Sequence, residues 1–533
     1  MKKLFSRGFA LTLAVLMAFS LTACRKSEEV ISVTSEWYEP GASKGEATDA
    51  SGEVQSNFEN GASVDTDIGI NNSNVSANTD ANKAGASVVG RNEVEGVNGS
   101  FRDVTLKETK MDLKGRKVVF ALNTPEKVFS ATGDSDAQRC YAAIKAIEKD
   151  YNCTIELVQH KPNEEGAKEI ATSKASGKVL YNVMLLQTSA ANALLKTTGY
   201  GADLRNVKTV GFKTNNWNEV FTLASSYKMK VMGVGVRYDW IEQNIMFFNK
   251  SLANKYKLGN FYDMVNSGAW TVNNFISICE TYKNRSGSKN YAVESMFPQT
   301  YLIMAYANWT SPLAISAKTS SYIFNGTSSQ VLDALTTVQN AVKKGLFNPN
   351  YTKTGIDSNG LYTQVYKDYE TACDNFVNGK SLFFIGSNGI DVLPYIYKNA
   401  IDDYGLLPIP RGDSSNHYST VITNAKYFSL LDGSPTIEED GAILTAIANR
   451  TNIATKDIEA NNKIRCRDSQ SVKMLTQNYK FKQILNVELS PGDIAAIYHG
   501  AAVPAVLGQE KSPKQAMESI ESKITTEINK IYN

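Results

Sequence analysis

The sequence predicts an α/β protein whose strands form a parallel sheet. Strand-like apolar runs at residues 117–122, 154–158 and 182–186 alternate with helical patterns, the signature of βαβ units. Of 533 residues, 42% are hydrophobic and 10% aromatic, enough apolar surface to bury cores in two to four domains and to exclude global disorder. Apolar runs of membrane-spanning length do not recur, and six cysteines are too few for a disulfide scaffold.

The elements follow in chain order. Lys2, Lys3 and Arg7 open a positive head, and residues 9–19 are mostly apolar but too short for a good membrane span. Leu21-Thr22-Ala23-Cys24 resembles a bacterial lipobox, which implies removal of residues 1–23 and lipid attachment at Cys24. The bland alternative is a cleaved signal with an incidental cysteine. Two acyl chains, at roughly 0.8 kcal/mol per buried methylene, would anchor the chain durably where one would not.

Residues 24–114 read as a disordered, lipid-anchored linker. Between 42 and 100, six small or polar residue types fill 40 of 59 positions, and Phe58 is the only aromatic. Such a segment cannot offset its ordering entropy by burial, and as a coil it spans roughly 50 Å. A folded body of 115–533 follows. Its first strand, KVVFAL, precedes a helix with Cys140, Tyr141, Ile144, Ile147 and Tyr151 on one face. TIELV, a polar helix over 165–176 and NVMLL continue the alternation. Further on, the pattern predicts a strand or strand pair within 230–248 and helices near 272–283 and 328–344. Strands at 381–385, 404–407 and 421–430 follow, then a terminal helix striped by Ile520, Ile524, Ile528 and Ile531.

Motifs for covalent chemistry are absent. His160, His417 and His499 are scattered, with no metal-ligand spacing, so no metal and no cofactor is expected. Gly233-Val234-Gly235 begins a dinucleotide fingerprint, but Tyr238 occupies its third glycine position. Gly379-Lys380-Ser381 mimics the end of a phosphate loop, with Asp374 where the first glycine belongs. No nucleophile elbow occurs, and no carboxylate pair is singled out. After Cys24, five cysteines remain, at 140, 153, 279, 373 and 466. An odd number cannot pair completely, and buried free thiols are the expected reading.

Four stretches in order resemble the extracellular solute-binding proteins of ABC importers, the large sugar-binding family that includes maltose-binding protein. They are VMGVGVRYDWIEQNIMFFNK at 231–250, NFYDMVNSGAWTVNNF at 260–275, FVNGKSLFFIG at 376–386 and DYGLLPIPRG at 403–412. The resemblance implies a two-lobed periplasmic-binding-protein-like fold of type II, hinged between lobes, with ligand in the cleft. Lobe one would hold about 115–238 and 424–460, and lobe two about 244–418 and 465–533. It also implies a monomer that delivers a small solute, a sugar or oligosaccharide, to ABC permease subunits at the extracellular face of the cell membrane, without enzymatic turnover.

Candidate ligand contacts follow from strand ends and from this resemblance. Asn123 and Thr124 follow the first strand, and Gln187 and Thr188 the third. Tyr238, Asp239 and Trp240 lie where a hinge and cleft floor are expected. Gln299 and Tyr301 match loosely a glutamate-proline-tyrosine cleft segment, and Trp309 follows. Ser387 and Asn388 stand where maltose-binding protein carries a tryptophan, which weighs against a maltodextrin. Aromatic faces suit sugar rings and polar edges suit hydroxyls. Rival readings are a cell-surface carbohydrate-active enzyme and a receptor or adhesin without a transporter. Charge sharpens the division: residues 42–100 carry −6 and residues 101–533 carry +7, within a chain total of +2. The body is too mildly basic to point to nucleic acid.

Overall fold

The computed structural model describes residues 104–533 except 197, 288, 296–302, 316–321, 350, 357–361, 367–368, 390–391, 454, 480, 488–489, 491–492 and 533. The signal, Cys24 and the linker up to residue 103 therefore lie outside the described residues; residues 104–114, expected as linker, belong to the body instead, because Leu106 and Leu113 are buried in its first core and Glu108 pairs with Arg450 at 2.8 Å. The fold opens as the sequence predicts. Strand β1 (Arg116–Leu122), helix α1 (Ser135–Tyr151), β2 (Cys153–Gln159), α2 (Asn163–Ala175) and β3 (Val183–Gln187) alternate, and β1 pairs in parallel with β2 and with β3. The Asp134 carboxylate accepts from the Ala137 N–H at 2.8 Å and starts α1; Asn152, left-handed at φ 47°, ends it. Ala137, Cys140, Ile144, Ile147 and Tyr151 form its buried face, while Tyr141 is only half-buried.

Seven further principal elements span the middle of the chain. They are β4 (Ile241–Asn249), α3 (Val272–Ser286), β5 (Val293–Ser295), α4 (Ser329–Lys343), β6 (Phe383–Ser387), β7 (Tyr404–Leu407) and β8 (Ser419–Ser429). The Thr271 hydroxyl accepts from the Asn274 N–H at 3.4 Å and caps α3. Then come α5 (Ile437–Arg450), α6 (Thr455–Arg465), α7 (Ser469–Asn478), β9 (Lys482–Leu485), α8 (Ile494–Leu507) and α9 (Pro513–Tyr532). Within 230–248, where the sequence predicts a strand or strand pair, two strands occur, the short Lys230–Val231 and β4.

Strands β1 to β9 join one mixed sheet in the order β2-β1-β3-β8-β4-β6-β5, with β7 also on β4 and β9 also on β8. Strand β8 is the seam. Its first residues pair with β9, its middle with β4 and its last, Lys426–Ser429, with β3. A bulge falls between Ile422 and Asn424, where the strand passes from one neighbour to the next.

Packing divides along that seam. One core gathers Phe120, Val183, Leu185, Ile144, Phe221, Trp240, Phe428 and the α5 residues Ile443, Leu444, Ala446, Ile447 and Ala448. On the other side, the period-two alternation of strands feeds two clusters. Met246, Phe248, Phe383 and Ile385 meet Trp270, Phe275 and the helices α4, α8 and α9; Ile245, Phe247, Phe384 and Leu406 meet Phe376, Ile396 and Leu475 of α7. Gly233 and Gly235 serve this packing rather than a phosphate. A Cβ there would stand 2.1 Å from the Tyr427 ring and 2.9 Å from the Phe221 ring. Cys140, Cys153, Cys279, Cys373 and Cys466 are buried and outside any disulfide among the described residues, and burial first of all pushes the Cys140 and Cys153 thiols up to about 11.

Candidate ligand-binding site

The sheet register assembles a polar stripe across the seam. Residues directly opposite on paired strands share a face, as do alternate residues of one strand. Gln187 of β3 is opposite Lys426 of β8, and Asn424, two residues back, is opposite Glu242 of β4. Asn244, two residues further on, is opposite Ser387 of β6. Gln187, Lys426, Asn424, Glu242, Asn244 and Ser387 therefore lie on one face and cross four strands, a span of roughly 15 Å at strand spacing. The first four are half-buried, and the last two buried. A Cβ at Gly389 would stand 3.0 Å from Ser387 Oγ and 3.5 Å from the Glu242 carboxyl carbon, so the chain after β6 closes on the stripe's acid.

The stripe begins at the carboxyl end of β3, the place where open α/β sheets bind ligands. Thr188, the next residue, turns inward, and its hydroxyl donates to the Ala425 carbonyl at 3.2 Å. Asn123 is exposed and Thr124 half-buried; Thr124 begins a short helix, Pro125–Val128, after β1. Tyr238–Trp240 form a single tight turn leading into β4.

Asp239 is committed to Arg237, which grips both its carboxylate oxygens through Nε at 3.0 Å and Nη2 at 2.5 Å. Arg237 also bonds Asp136 at 3.0 Å and the Thr451 carbonyl at 3.1 Å. Burial opposes its charge, but Asp239 and Asp136 outweigh that and raise its pKa. The indole of Trp240 lies 4.9 Å from the Arg237 guanidinium and 5.5 Å from the Phe428 ring, within the core. Arginine, aspartate and indole thus brace the turn that launches the crossing strand.

The opposite face of the seam is closed by a buried amide network. The Gln243 N–H donates to Asn388 Oδ1 at 2.8 Å, and Asn388 Nδ2 donates to the Tyr479 hydroxyl at 2.9 Å. Gln243 Nε2 donates to Gln483 Oε1 at 2.6 Å. Asn478 Nδ2 reaches Thr420 Oγ1 at 3.0 Å, and Gln243 Oε1 and the Asn244 carbonyl each at 3.2 Å. Burial drives the Tyr479 pKa up; Arg465 offsets part of this, and the Asp239 and Glu242 carboxylates add to it.

The structure brings Gln187, Thr188, Asp239, Trp240, Ser387 and Asn388 to the seam, with Asn388 structural in its contacts. Trp309 packs on a different element. It stacks on His417 with centroids 5.2 Å apart and adopts a left-handed φ of 59°. Gln299 and Tyr301 lie outside the described residues, and of Tyr238 only the backbone turn is described. Sequence reading passed over Glu242, Asn424 and Lys426. Their signal was available: in NAKYF the polar residues alternate with Ala425 and Tyr427, so both fall on the side that Gln187 shares.

Among the described residues no group of three or more His, Cys, Asp or Glu could hold a metal ion. The stripe offers instead amides, a carboxylate and an ammonium, donors and acceptors fixed on strands for a small polar molecule to span. Two packed halves sharing a seam, with a polar stripe laid across it, define a two-lobed binding protein.

The chain belongs to the bacterial extracellular solute-binding proteins, whose family pattern matches residues 142–443. Solved structures agree on the fold. The chain is similar to an extracellular solute-binding protein of Staphylococcus aureus in complex with maltose, at 13% identity and TM-score 0.55, over 78% of this chain and 99% of that one. It is similar to the cyclic α-maltosyl-1,6-maltose binding protein of Arthrobacter globiformis, at 10% identity and TM-score 0.54, with the same coverage. A family 1 extracellular solute-binding protein of Alicyclobacillus acidocaldarius matches at 13% identity and TM-score 0.50, over 80% of this chain and 100% of that one. No curated protein matches the sequence.

Proposed function

We propose that this protein is a non-catalytic receptor that captures a small carbohydrate outside the cell and hands it to an ABC permease. Family membership supports solute binding, and the observation that carries the ligand class is the polar stripe. Its amides and carboxylate suit hydroxyl groups, which both donate and accept. The roughly 15 Å it spans suits a short oligosaccharide. Two of the similar structures are described by the sugars they bind, in keeping with this reading.

In the same proposal, residues 1–23 are removed, Cys24 carries the lipid and the chain from there to about residue 103 tethers a monomeric body to the membrane. Among the described residues no helix is long and apolar enough to cross a membrane. Lobe one takes 115–238 and 424–460, lobe two 244–418 and 465–533. The ligand contacts both, binds the closed arrangement more tightly and shifts the population toward it.

The test is a calorimetric binding scan of the chain from residue 24 onward against oligosaccharides, amino acids, peptides and polyamines. Saturable binding of a sugar without its breakdown is the expected result. Binding confined to a non-sugar, or hydrolysis or elimination of a polysaccharide by the purified chain, would refute the proposal.

A further inference from the structure

One charge on the stripe is held by no ion pair among the described residues. Lys426 is half-buried, opposite Gln187 at the carboxyl end of β3, and no side-chain hydrogen bond or ion pair to another described residue holds its ammonium. Other cations withdrawn from water carry acidic partners: Arg237 has Asp136 and Asp239, Lys250 has Asp403 and Asp468, Arg116 has Glu439 and Asp440. An ammonium partly withdrawn from water without a counter-charge is unfavourable, and a bound anion relieves it. The stripe is also polarised. From Gln187 to Ser387 its order is amide, ammonium, amide, carboxylate, amide, hydroxyl, so the cation and the acid lie on different strands with Asn424 between them.

We propose that the ligand of this site is an acidic saccharide, a sugar bearing a carboxylate. The carboxylate sits on the Lys426 ammonium beside the Gln187 amide. The sugar hydroxyls run the other way, accepting from the Asn424 amide and donating to the Glu242 carboxylate. A ligand laid in reverse would press its carboxylate against Glu242, so the stripe selects orientation as well as charge. The inference deepens the carbohydrate reading and rests on it.

The experiment compares matched pairs on the chain from residue 24 onward: trimers of galacturonate, glucuronate and mannuronate, each against its carboxyl-reduced neutral counterpart, by calorimetry. At least one uronate trimer is expected to bind about tenfold or more tighter than its reduced partner, the size of one charge-assisted contact. That preference is expected to shrink as salt rises. Lys426→Met is expected to abolish the preference, and Lys426→Arg to retain it. Salt dependence in the unaltered chain reads the same contact should Lys426→Met fail to fold.

Equal or tighter binding of the reduced sugars, or a uronate preference unchanged by Lys426→Met, overturns the acidic assignment and leaves the carbohydrate reading standing. Binding of neither series, with binding of a non-sugar in the wider scan, overturns both.

Discussion

The Lys196 ammonium donates to the Ala224 carbonyl at 3.2 Å and is 3% exposed, at the end of a π-helical turn, Asn192–Lys196, in the first core. Burial alone lowers its pKa from 10.5 to about 7. In the unfolded chain the amine keeps its proton up to about pH 10.5, so between pH 7 and 10.5 the unfolded state binds more protons. Stability contributed by this site therefore rises with pH through that window, and below pH 7 the desolvation cost is fully present. Lys196→Met removes the titration. The variant is expected to gain on the order of 4 kcal/mol over the parent at pH 7. That advantage closes toward pH 10.5, as measured by urea unfolding at several pH values; parallel pH profiles for the two proteins would contradict it. At this scale the sequence showed which polar residues end strands but not which way they turn. Thr188 and Asn388 sit at predicted positions, yet backbone and side-chain partners inside the seam claim them, whereas Lys426, unremarkable in a strand pattern, has no side-chain partner among the described residues. Facing is set by register with a partner strand, which no single stretch of sequence contains.

Strands with sharp apolar runs were legible because a buried strand needs little beyond length and β-branched or aromatic content. The helices α5 and α8 were not. Every residue from Asp440 to Ala448 is buried, so α5 shows no polar stripe to reveal a helical period, and α8 is apolar except at Tyr498 and His499, with Pro504 inside it. Also invisible was the tie between α7, β9 and the crossing strands, since it depends on side chains more than 200 residues apart. Asn478, fully buried, serves three acceptors there, and Gln243 and Gln483 complete the set. A partly dismantled buried network leaves its remaining members unsatisfied. Asn478→Ala is accordingly expected to cost about 2–4 kcal/mol in urea unfolding, well above a surface change. Gln243→Leu should cost a similar amount, and the double variant distinctly less than the sum, because the second change removes groups already stranded by the first. Additive losses would mean that the amides act independently.

For the whole molecule, the consequence of a shared sheet is mechanical and thermodynamic coupling. Gln187 and Lys426 extend from the core built on β1–β3, Glu242 and Ser387 from strands that feed the other clusters, and a ligand along the stripe touches both sets. Such a ligand favours whichever arrangement lets both halves contact it, by its difference in affinity for the two arrangements. Family membership was legible from four short stretches because they hold the packing around the crossing strands, namely β4, Trp270, β6 and β7. Coupling predicts a particular melting behaviour. At a hundred times its dissociation constant, a sugar bound only by the folded state adds about 2.7 kcal/mol of stability. If the stripe is the site, that increment must reach both halves. The full calorimetric transition should then move upward as one, and small-angle scattering should show the protein contract on binding. A ligand that binds tightly yet shifts only part of the transition, with no contraction, would be held by one half alone, and the stripe would not be where it sits.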